Sequence, residues 1–337
     1  MRTKIAFIIL TLALLLGLAE VVARILVYRG TPAGVEFDED INYTYRPFSH
    51  PNQPGVDGLN DIGCIGDNVK PPKTTDELRV LLLGASTSFS QKYVTTVRSR
   101  LAEGLRSKDV KVVSCGRPQY TSYSNRVNFD KNLQVYLFDI VGLYMGATDN
   151  IYNSMRWLND NPNVGHFDWG TLRRSVLWDL IEYHKLEKLV WATPDFALLP
   201  LRSGDIFAKN VRGIVESAKR KNAIVVLVPE AISYPTEDKN LFAIQTKQEA
   251  LLRHFWGNLN SMVVGLEKHK EIMIALAKDL SLPIVEVADS LPHTSEYFID
   301  ISHLTDAGNE ILGTKMADAM RDSLTNRISS IGSVNKN

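Results

Sequence analysis

Five short aliphatic runs, separated by segments with helical periodicity, constrain the fold more than any other feature of the chain. Each run is nearly continuous in aliphatic residues, which is typical of strands that are covered on both faces in a parallel sheet. The runs are LRVLLLG (78–84), VKVVSCG (110–116), FDIVGLYMG (138–146), AIVVLVP (223–229) and LPIVEVAD (282–289). Amphipathic segments between them supply helices. The sequence therefore predicts an α/β fold, a three-layer doubly wound parallel sheet of about five strands.

The N-terminus carries a second strong pattern. After the basic residues Arg2 and Lys4, residues 5–27 are almost wholly apolar, apart from Glu20 and Arg24, which can pair four residues apart on a helix. Such a helix would be ~30 Å long, about one bilayer core. We expect an uncleaved single-pass transmembrane anchor, although the small residues at 17–19 also resemble a signal-peptide cleavage site.

The topology of such an anchor follows from its charges. The positive tip before the apolar run favours a cytoplasmic N-terminus, which places the rest of the chain outside the cytoplasm, in the periplasm or at the cell surface. We divide the chain into the anchor (1–29), an extended lead segment rich in proline (30–75), a folded domain (76–325) and a disordered tail (326–337). A tryptophan-containing insert at 151–205 is either a substrate-binding cap or part of the core.

Composition excludes several classes of function. The 337 residues include 38 basic and 38 acidic side chains, so the chain has no net positive charge that would attract nucleic acid. The chain contains no motif for a cofactor and no clustered Cys/His pattern for a metal. Its two cysteines, Cys64 and Cys115, could pair if the fold brings them together, but we expect two buried unpaired side chains.

Glycines and polar residues follow four of the predicted strands. Ligands of an open parallel sheet bind outside the carboxyl ends of its strands. There the chain places Ser86, Gly116, the segment 146–150, and Asp300 with His303. Taken alone, a serine at such a turn is usually a helix N-cap, and a lone histidine is usually structural. An aspartate three residues before the histidine favours chemistry, because it can orient the imidazole and stabilise its protonated form.

In combination these segments resemble the SGNH hydrolase superfamily, the GDSL-type esterases, in its membrane-anchored bacterial form. GAS at 84–86 is similar to the first block of that family, Gly116 to the second, and GATD at 146–149 to the third, Gly-x-Asn-Asp. Asp300 and His303 match the fourth block, Asp-x-x-His, in full. The resemblance implies a flavodoxin-like sheet and a serine hydrolase site.

The resemblance also implies a role for each matched residue. Ser86 would be the nucleophile, His303 the general base and Asp300 the group that orients it. The oxyanion hole would combine the N–H groups of Ser86 and Gly116 with a side-chain donor from the third block. Thr148 stands where the family has asparagine, and it offers one rotatable hydroxyl instead of an amide.

Three outcomes of this departure stay open at this point. The Thr148 hydroxyl could serve as the donor, Asn150 could take its place, or the protein could be impaired. Arg117 follows Gly116 and could bind a substrate carboxylate, although a surface position is expected.

The resulting hypothesis is an extracytoplasmic serine esterase or acyltransferase that acts on O-acyl groups, commonly acetyl, of cell-surface polysaccharide or envelope glycan. The expected partners are the acylated substrate and the membrane. The alternatives are a lipid esterase or thioesterase, which an apolar cap at 151–205 would favour, and a non-catalytic glycan-binding protein, which the exchange at Thr148 would favour.

Overall fold

The structure, a computed structural model, describes most of the chain outside the predicted insert. The described residues are 2–29, 35–38, 42–50, 56–105, 108–153, 175, 177, 203–256 and 258–334. The predicted cap at 151–205 lies outside them except at its two ends and at residues 175 and 177.

A five-stranded sheet forms the centre of the domain. Its strands are β3 (Ile65–Gly66), β4 (Glu77–Gly84), β5 (Asp109–Ser114), β6 (Ile140–Met145) and β7 (Ile224–Pro229). Their order is β3-β5-β4-β6-β7, with β3 antiparallel to β5 and the other pairs parallel. Two further strands, β1 (Val35–Asp38) and β2 (Asn42–Tyr45), form a separate antiparallel pair. The predicted α/β fold around a mostly parallel sheet is confirmed.

One predicted strand is shorter than expected. The run at 282–289 contributes an isolated parallel bridge between Ile284 and Leu227 instead of a full strand. Pro283 has no N–H to donate, and a 3-10 turn begins at Ala288, so the pairing ends after one bridge. The fifth strand of the sheet is β3, which comes from the predicted lead segment. With the bridge counted, the parallel part follows the flavodoxin-like order.

Helices cover both faces of the sheet. They are α1 (Arg2–Arg29), α2 (Gln91–Gly104), α3 (Ser122–Asn128), α4 (Ala147–Asn153), α5 (Ser203–Arg220), α6 (Lys239–Trp256), α7 (Leu259–Asp279) and α8 (Asp306–Val334). Successive residues of β4 point to opposite faces, so Val80 and Leu82 pack with α2 and α8, whereas Leu81 and Leu83 pack with α5 and α7. These two cores give the three predicted layers.

Long helices lie at both ends of the described residues. In α1, the segment Phe7–Ile25 is long and apolar enough to cross a membrane, with a mean hydropathy of 2.3, and its side chains are almost all exposed. The predicted pairing within it is present, since Arg24 Nε lies 2.8 Å from Glu20 Oε1. At the other end α8 continues to Val334, so the disordered tail predicted from 326 is helical as far as that residue.

Cys64 and Cys115 form a disulfide. The expectation of two unpaired cysteines is therefore wrong. The reason is the antiparallel edge strand: Ile65 in β3 pairs with Ser114 in β5, which brings the two neighbouring cysteines together across 51 residues of sequence. The disulfide ties the lead segment to the loop that carries Gly116.

Candidate active site

Ser86 lies at the carboxyl end of β4, in a 3-10 turn that spans Ser86–Ser88. Its hydroxyl does not cap a helix. The N-cap of α2 is Ser90, whose side chain accepts a hydrogen bond from the Tyr93 N–H. The partner of the Ser86 hydroxyl is His303, with 2.8 Å between Oγ and Nε2. Of the two interpretations of this serine, the geometry favours the nucleophile.

The turn around Ser86 is fixed by both neighbouring strands. Ser88 Oγ donates to the Tyr144 carbonyl at the end of β6, at 3.0 Å. Ser114 Oγ at the end of β5 donates to the Ser88 carbonyl, at 2.8 Å. Gly84 permits this close approach, because a Cβ there would lie 2.0 Å from Ser88 Oγ and 2.2 Å from the Tyr144 oxygen. The turn that carries Ser86 is thus fixed by both neighbouring strands.

Asp300 and His303 occupy one tight loop before α8. Asp300 Oδ1 accepts the N–H groups of Ser302 and His303, at 2.9 and 2.8 Å, and its Oδ2 lies 2.8 Å from His303 Nδ1. Ser233 Oγ donates to the Asp300 carbonyl at 2.8 Å. The loop therefore sets one imidazole nitrogen on the carboxylate and the other on Ser86, which is the arrangement of a general base and its orienting acid.

The electrostatics of this pair suit a general base. Burial alone would lower the pKa of His303, but the Asp300 hydrogen bond and the negative charges of Asp300 and Glu230 outweigh it and raise that pKa. Burial likewise works against ionised Asp300, yet its hydrogen bonds with His303 and Ser302 keep its pKa below the ordinary value. Asp300 is therefore ionised at neutral pH and favours the protonated form of the imidazole.

Two backbone N–H groups lie at the turn that carries Ser86, one of Ser86 itself and one of Gly116. In the part of the chain that the structure describes, the N–H groups of Ser86 and Gly116 donate to no other group. Gly116 packs directly on the serine turn, because a Cβ on it would lie 2.6 Å from Ser88 Cβ and 3.1 Å from the Ala85 oxygen. Free N–H groups at this edge are the donors that an oxyanion requires.

Thr148 and Asn150 lie on α4 and differ in their surroundings. Thr148 is buried, and its hydroxyl has no hydrogen-bond partner among the described residues. Asn150 Nδ2 donates to the Met262 carbonyl of α7 at 3.0 Å, and its amide packs on Gly265. The Asn150 amide is therefore held on α7, whereas the Thr148 hydroxyl is not held by any of the described residues.

Arg117 has a structural environment. It is 2% exposed, so the expected surface position is wrong. Its guanidinium donates to the Gly63 carbonyl at 3.2 Å, to Tyr120 Oη at 2.9 Å and to Thr44 Oγ1, and it lies over the Tyr45 ring. These contacts tie the β1–β2 pair to the loop after β5.

Two buried titratable residues at this edge were not found from the sequence. Glu230 directly follows β7, and its carboxylate accepts the Ala147 N–H. His269 on α7 lies 3.0 Å, through Nδ1, from the Gly146 carbonyl. The rule that pointed to Ser86 and Gly116 applies equally to the residue after β7 and would have found Glu230. No pattern in the sequence singles out His269.

Among known proteins, no family model and no curated sequence matches the chain. Several solved structures are similar to it. One described as a GDSL-like lipase from Bacteroides thetaiotaomicron VPI-5482 is 13% identical, with 75% of this chain and 93% of that chain covered and a TM-score of 0.45. The acetyl xylan esterase AlAXEase is 16% identical, with 72% and 99% covered and a TM-score of 0.45.

A lipase/acylhydrolase from Enterococcus faecalis is also similar, at 14% identity, with 73% and 96% covered and a TM-score of 0.43. All three structures are at most 16% identical to this chain. Because their identities and TM-scores are low, the functional proposal rests on the geometry of the site.

Proposed function

We propose that this chain is a serine esterase or O-acyltransferase of the SGNH type. The observation that carries the proposal is the continuous hydrogen-bonded line from Ser86 Oγ through His303 to Asp300, with 2.8 Å at each contact. A serine hydroxyl is a weak nucleophile at neutral pH, and this arrangement supplies the base that it needs.

The reaction would proceed in two halves. His303 Nε2 takes the hydroxyl proton while Ser86 Oγ bonds to the acyl carbon, and the N–H groups of Ser86 and Gly116 hold the oxyanion, with the Thr148 hydroxyl as third donor. His303 then returns the proton to the leaving alcohol as the carbon–oxygen ester bond breaks. Water, or a second alcohol in a transferase, repeats the sequence and releases the acyl group from Ser86.

The test is turnover of 4-nitrophenyl acetate by the full chain in detergent. Ser86→Ala should abolish turnover and labelling by a fluorophosphonate. Ser90→Ala is the matched control, since that serine lies in the same segment but caps α2, and its loss should cost about 1 kcal/mol of stability with little change in rate. Turnover that survives Ser86→Ala would contradict the nucleophile assignment. Turnover in Thr148→Asn but not in the parent would favour an impaired protein over a working enzyme.

We assign the catalytic domain to the outside of the cytoplasm, with α1 as its membrane anchor. The disulfide supports this placement, because disulfides persist in oxidising compartments. In freshly lysed cells under denaturing conditions, a maleimide polymer should modify neither cysteine before reduction and both cysteines after reduction. Two free thiols in freshly lysed cells would contradict the placement.

We propose that the substrate is an O-acetylated glycan of the envelope or cell surface. A tethered extracytoplasmic site meets such esters, and one of the similar structures is named an acetyl xylan esterase. Release of acetate from acetylated polysaccharide should exceed release from long-chain lipid or thioester substrates at equal ester concentration. The reverse preference would favour a lipid esterase or thioesterase.

A further inference from the structure

Glu230 is a buried carboxylic acid that the mechanism above does not use. It is 6% exposed, and it lies at the same edge of the sheet as Ser86 because it directly follows β7. Oε2 accepts the Ala147 N–H, whereas Oε1 has no partner in hydrogen-bond geometry within the described ranges. The buried hydroxyl of Thr87, next to Ser86, falls outside hydrogen-bond geometry, yet it lies close enough to Glu230 to act as a donor that lowers the pKa of this acid. Burial of a carboxylic acid is costly, and its place at the edge that carries Ser86 indicates a role in the site.

The peptide between Gly146 and Ala147 is held from both sides. His269 Nδ1 donates to the Gly146 carbonyl, because a carbonyl oxygen can only accept. Burial lowers the pKa of His269 to about 4, which leaves it neutral at pH 7. The Ala147 N–H donates to Glu230 on the other side. Gly146 has a φ of 154°, and a Cβ there would lie 3.6 Å from His269 Cβ and 3.7 Å from Glu230 Oε2. Thr148 follows this peptide, so the position of its hydroxyl depends on the Glu230 contact.

Glu230 also lies near the loop of the general base, because Ser233, three residues further on, donates its hydroxyl to the Asp300 carbonyl and its N–H to the Ile301 carbonyl. Burial raises the pKa of Glu230, while Thr87, the Ala147 N–H and His303 oppose that rise. In return the charge of Glu230 helps to raise the pKa of His303. The titratable groups that face Glu230 come from three elements and the catalytic loop. They are Tyr144 on β6, Asp149 on α4, His269 on α7, and Asp300 and His303 in the loop. Among them only His303 gains a positive charge during the proposed reaction.

We infer that Glu230 is a positioning residue, which holds the peptide before Thr148 through the Ala147 N–H and stabilises the imidazolium of His303 by its negative charge. The inference rests on the proposed function for its catalytic consequences. The charge coupling itself can be measured without any turnover.

The first experiment uses Glu230→Gln in the full chain in detergent, with ¹³C-labelled histidine rings followed by NMR across pH. Glutamine keeps an oxygen that can accept the Ala147 N–H but removes the charge. The pKa of His303 should fall by about 0.5–1 unit, because an anion close to an imidazole favours its protonated form. Glu216→Gln on the exposed side of α5 is the matched control and should leave the pKa of His303 unchanged. An unchanged pKa in Glu230→Gln would overturn the charge role.

The second experiment compares Glu230→Gln with Glu230→Ala in ester turnover. The acid limb of kcat/KM should move to lower pH in Glu230→Gln, since neutral His303 is the active base and its pKa has fallen. Glu230→Ala also removes the acceptor for Ala147, so kcat should fall by roughly 10²-fold with little change in KM, as for a displaced oxyanion donor. Equal kcat in the two variants would overturn the loop-holding role.

The two hypotheses fail separately. An inactive parent whose His303 still shifts in Glu230→Gln would contradict the proposed esterase and support the charge coupling. An active parent with an unchanged His303 and an unchanged pH profile in Glu230→Gln would contradict the inference alone.

Discussion

The two halves of the candidate site are built differently. The nucleophile half consists of Ser86, Asp300 and His303, whose side chains contact one another directly. The oxyanion half consists of Gly116 and Thr148, whose donors have no hydrogen-bond partner in the described part of the chain and are placed by the backbone and by packing. The first half depends on a few side-chain hydrogen bonds, and the second depends on how buried neighbours place a backbone. Substitutions in the two halves should therefore fail in different ways.

The largest effect is expected in the nucleophile half, from Asp300→Asn. Asparagine can still accept the N–H groups of Ser302 and His303 through one oxygen, so the loop should keep its shape. It loses the charge that favours the imidazolium and the acceptor that fixes the tautomer of His303. We expect kcat to fall by about 10⁴-fold with only a small change in the unfolding temperature.

Asp306→Asn is the matched control for this substitution, because Asp306 is exposed in the first turn of α8, close to the same loop. Its effect should be limited to about 0.5 kcal/mol of stability. An Asp300→Asn variant that keeps a tenth or more of the parent activity would show that His303 does not need its carboxylate.

The next effect is on the stability of the oxyanion half. Replacing Cys64 and Cys115 together by serine removes a cross-link that spans 51 residues. Chain entropy predicts a loss of about 4 kcal/mol in the free energy of unfolding. Denaturant titration checks it, with the reducing agent as internal control: reduction should lower the midpoint of the parent and leave the double variant unchanged. A parent that is insensitive to reduction would contradict the role of the disulfide.

Gly116→Ala tests the donor itself. The new Cβ would meet Ser88 Cβ at 2.6 Å, and Ser88 is anchored to the strands on both sides. Gly116 must therefore move, which displaces its N–H from the oxyanion. We expect kcat to fall by about 10²- to 10³-fold.

The matched control for Gly116→Ala is Gly213→Ala on α5. A Cβ at Gly213 would meet only the flexible side chain of Arg126, at 2.6 Å, and helix propensity should offset that contact. It should leave kcat unchanged. Equal kinetics in Gly116→Ala and the parent would remove Gly116 from the oxyanion hole.

The sequence predicts the nucleophile half better than the oxyanion half, for a physical reason. Ser86 follows a buried strand, and Asp300 lies three residues from His303, so local spacing and the geometry of parallel strands place them near one edge, and the family resemblance implies their roles. The oxyanion half depends on contacts between distant segments. Glu230 reaches Ala147 across 83 residues and His269 reaches Gly146 across 123, and no local pattern encodes such pairs.

The same limit explains why the sequence does not predict the disulfide, the edge strand β3 or the burial of Arg117. β3 contains two residues, too few to leave a strand pattern, yet its pairing with β5 decides that Cys64 meets Cys115. A lone arginine after a glycine is expected at the surface. The packing of Tyr45 and Tyr120 around Arg117 buries its side chain between the β1–β2 pair and the loop after β5. Edge pairing and burial are tertiary properties that spacing along the chain does not contain.

The smallest effect is expected from Thr148→Val, which asks whether the oxyanion half needs a side chain at all. Valine matches threonine in shape, so α4 should keep its packing while the hydroxyl, which has no partner among the described residues, disappears. A rotatable hydroxyl on a short arm should contribute less than a fixed amide donor, and we expect kcat to fall about tenfold with KM nearly unchanged. Thr95→Val on α2 is the matched control, because its hydroxyl bonds to the Gln91 carbonyl away from the site. If kcat is unchanged in Thr148→Val, the N–H groups of Ser86 and Gly116 hold the oxyanion alone, and the third donor that the resemblance implies is not used in this chain.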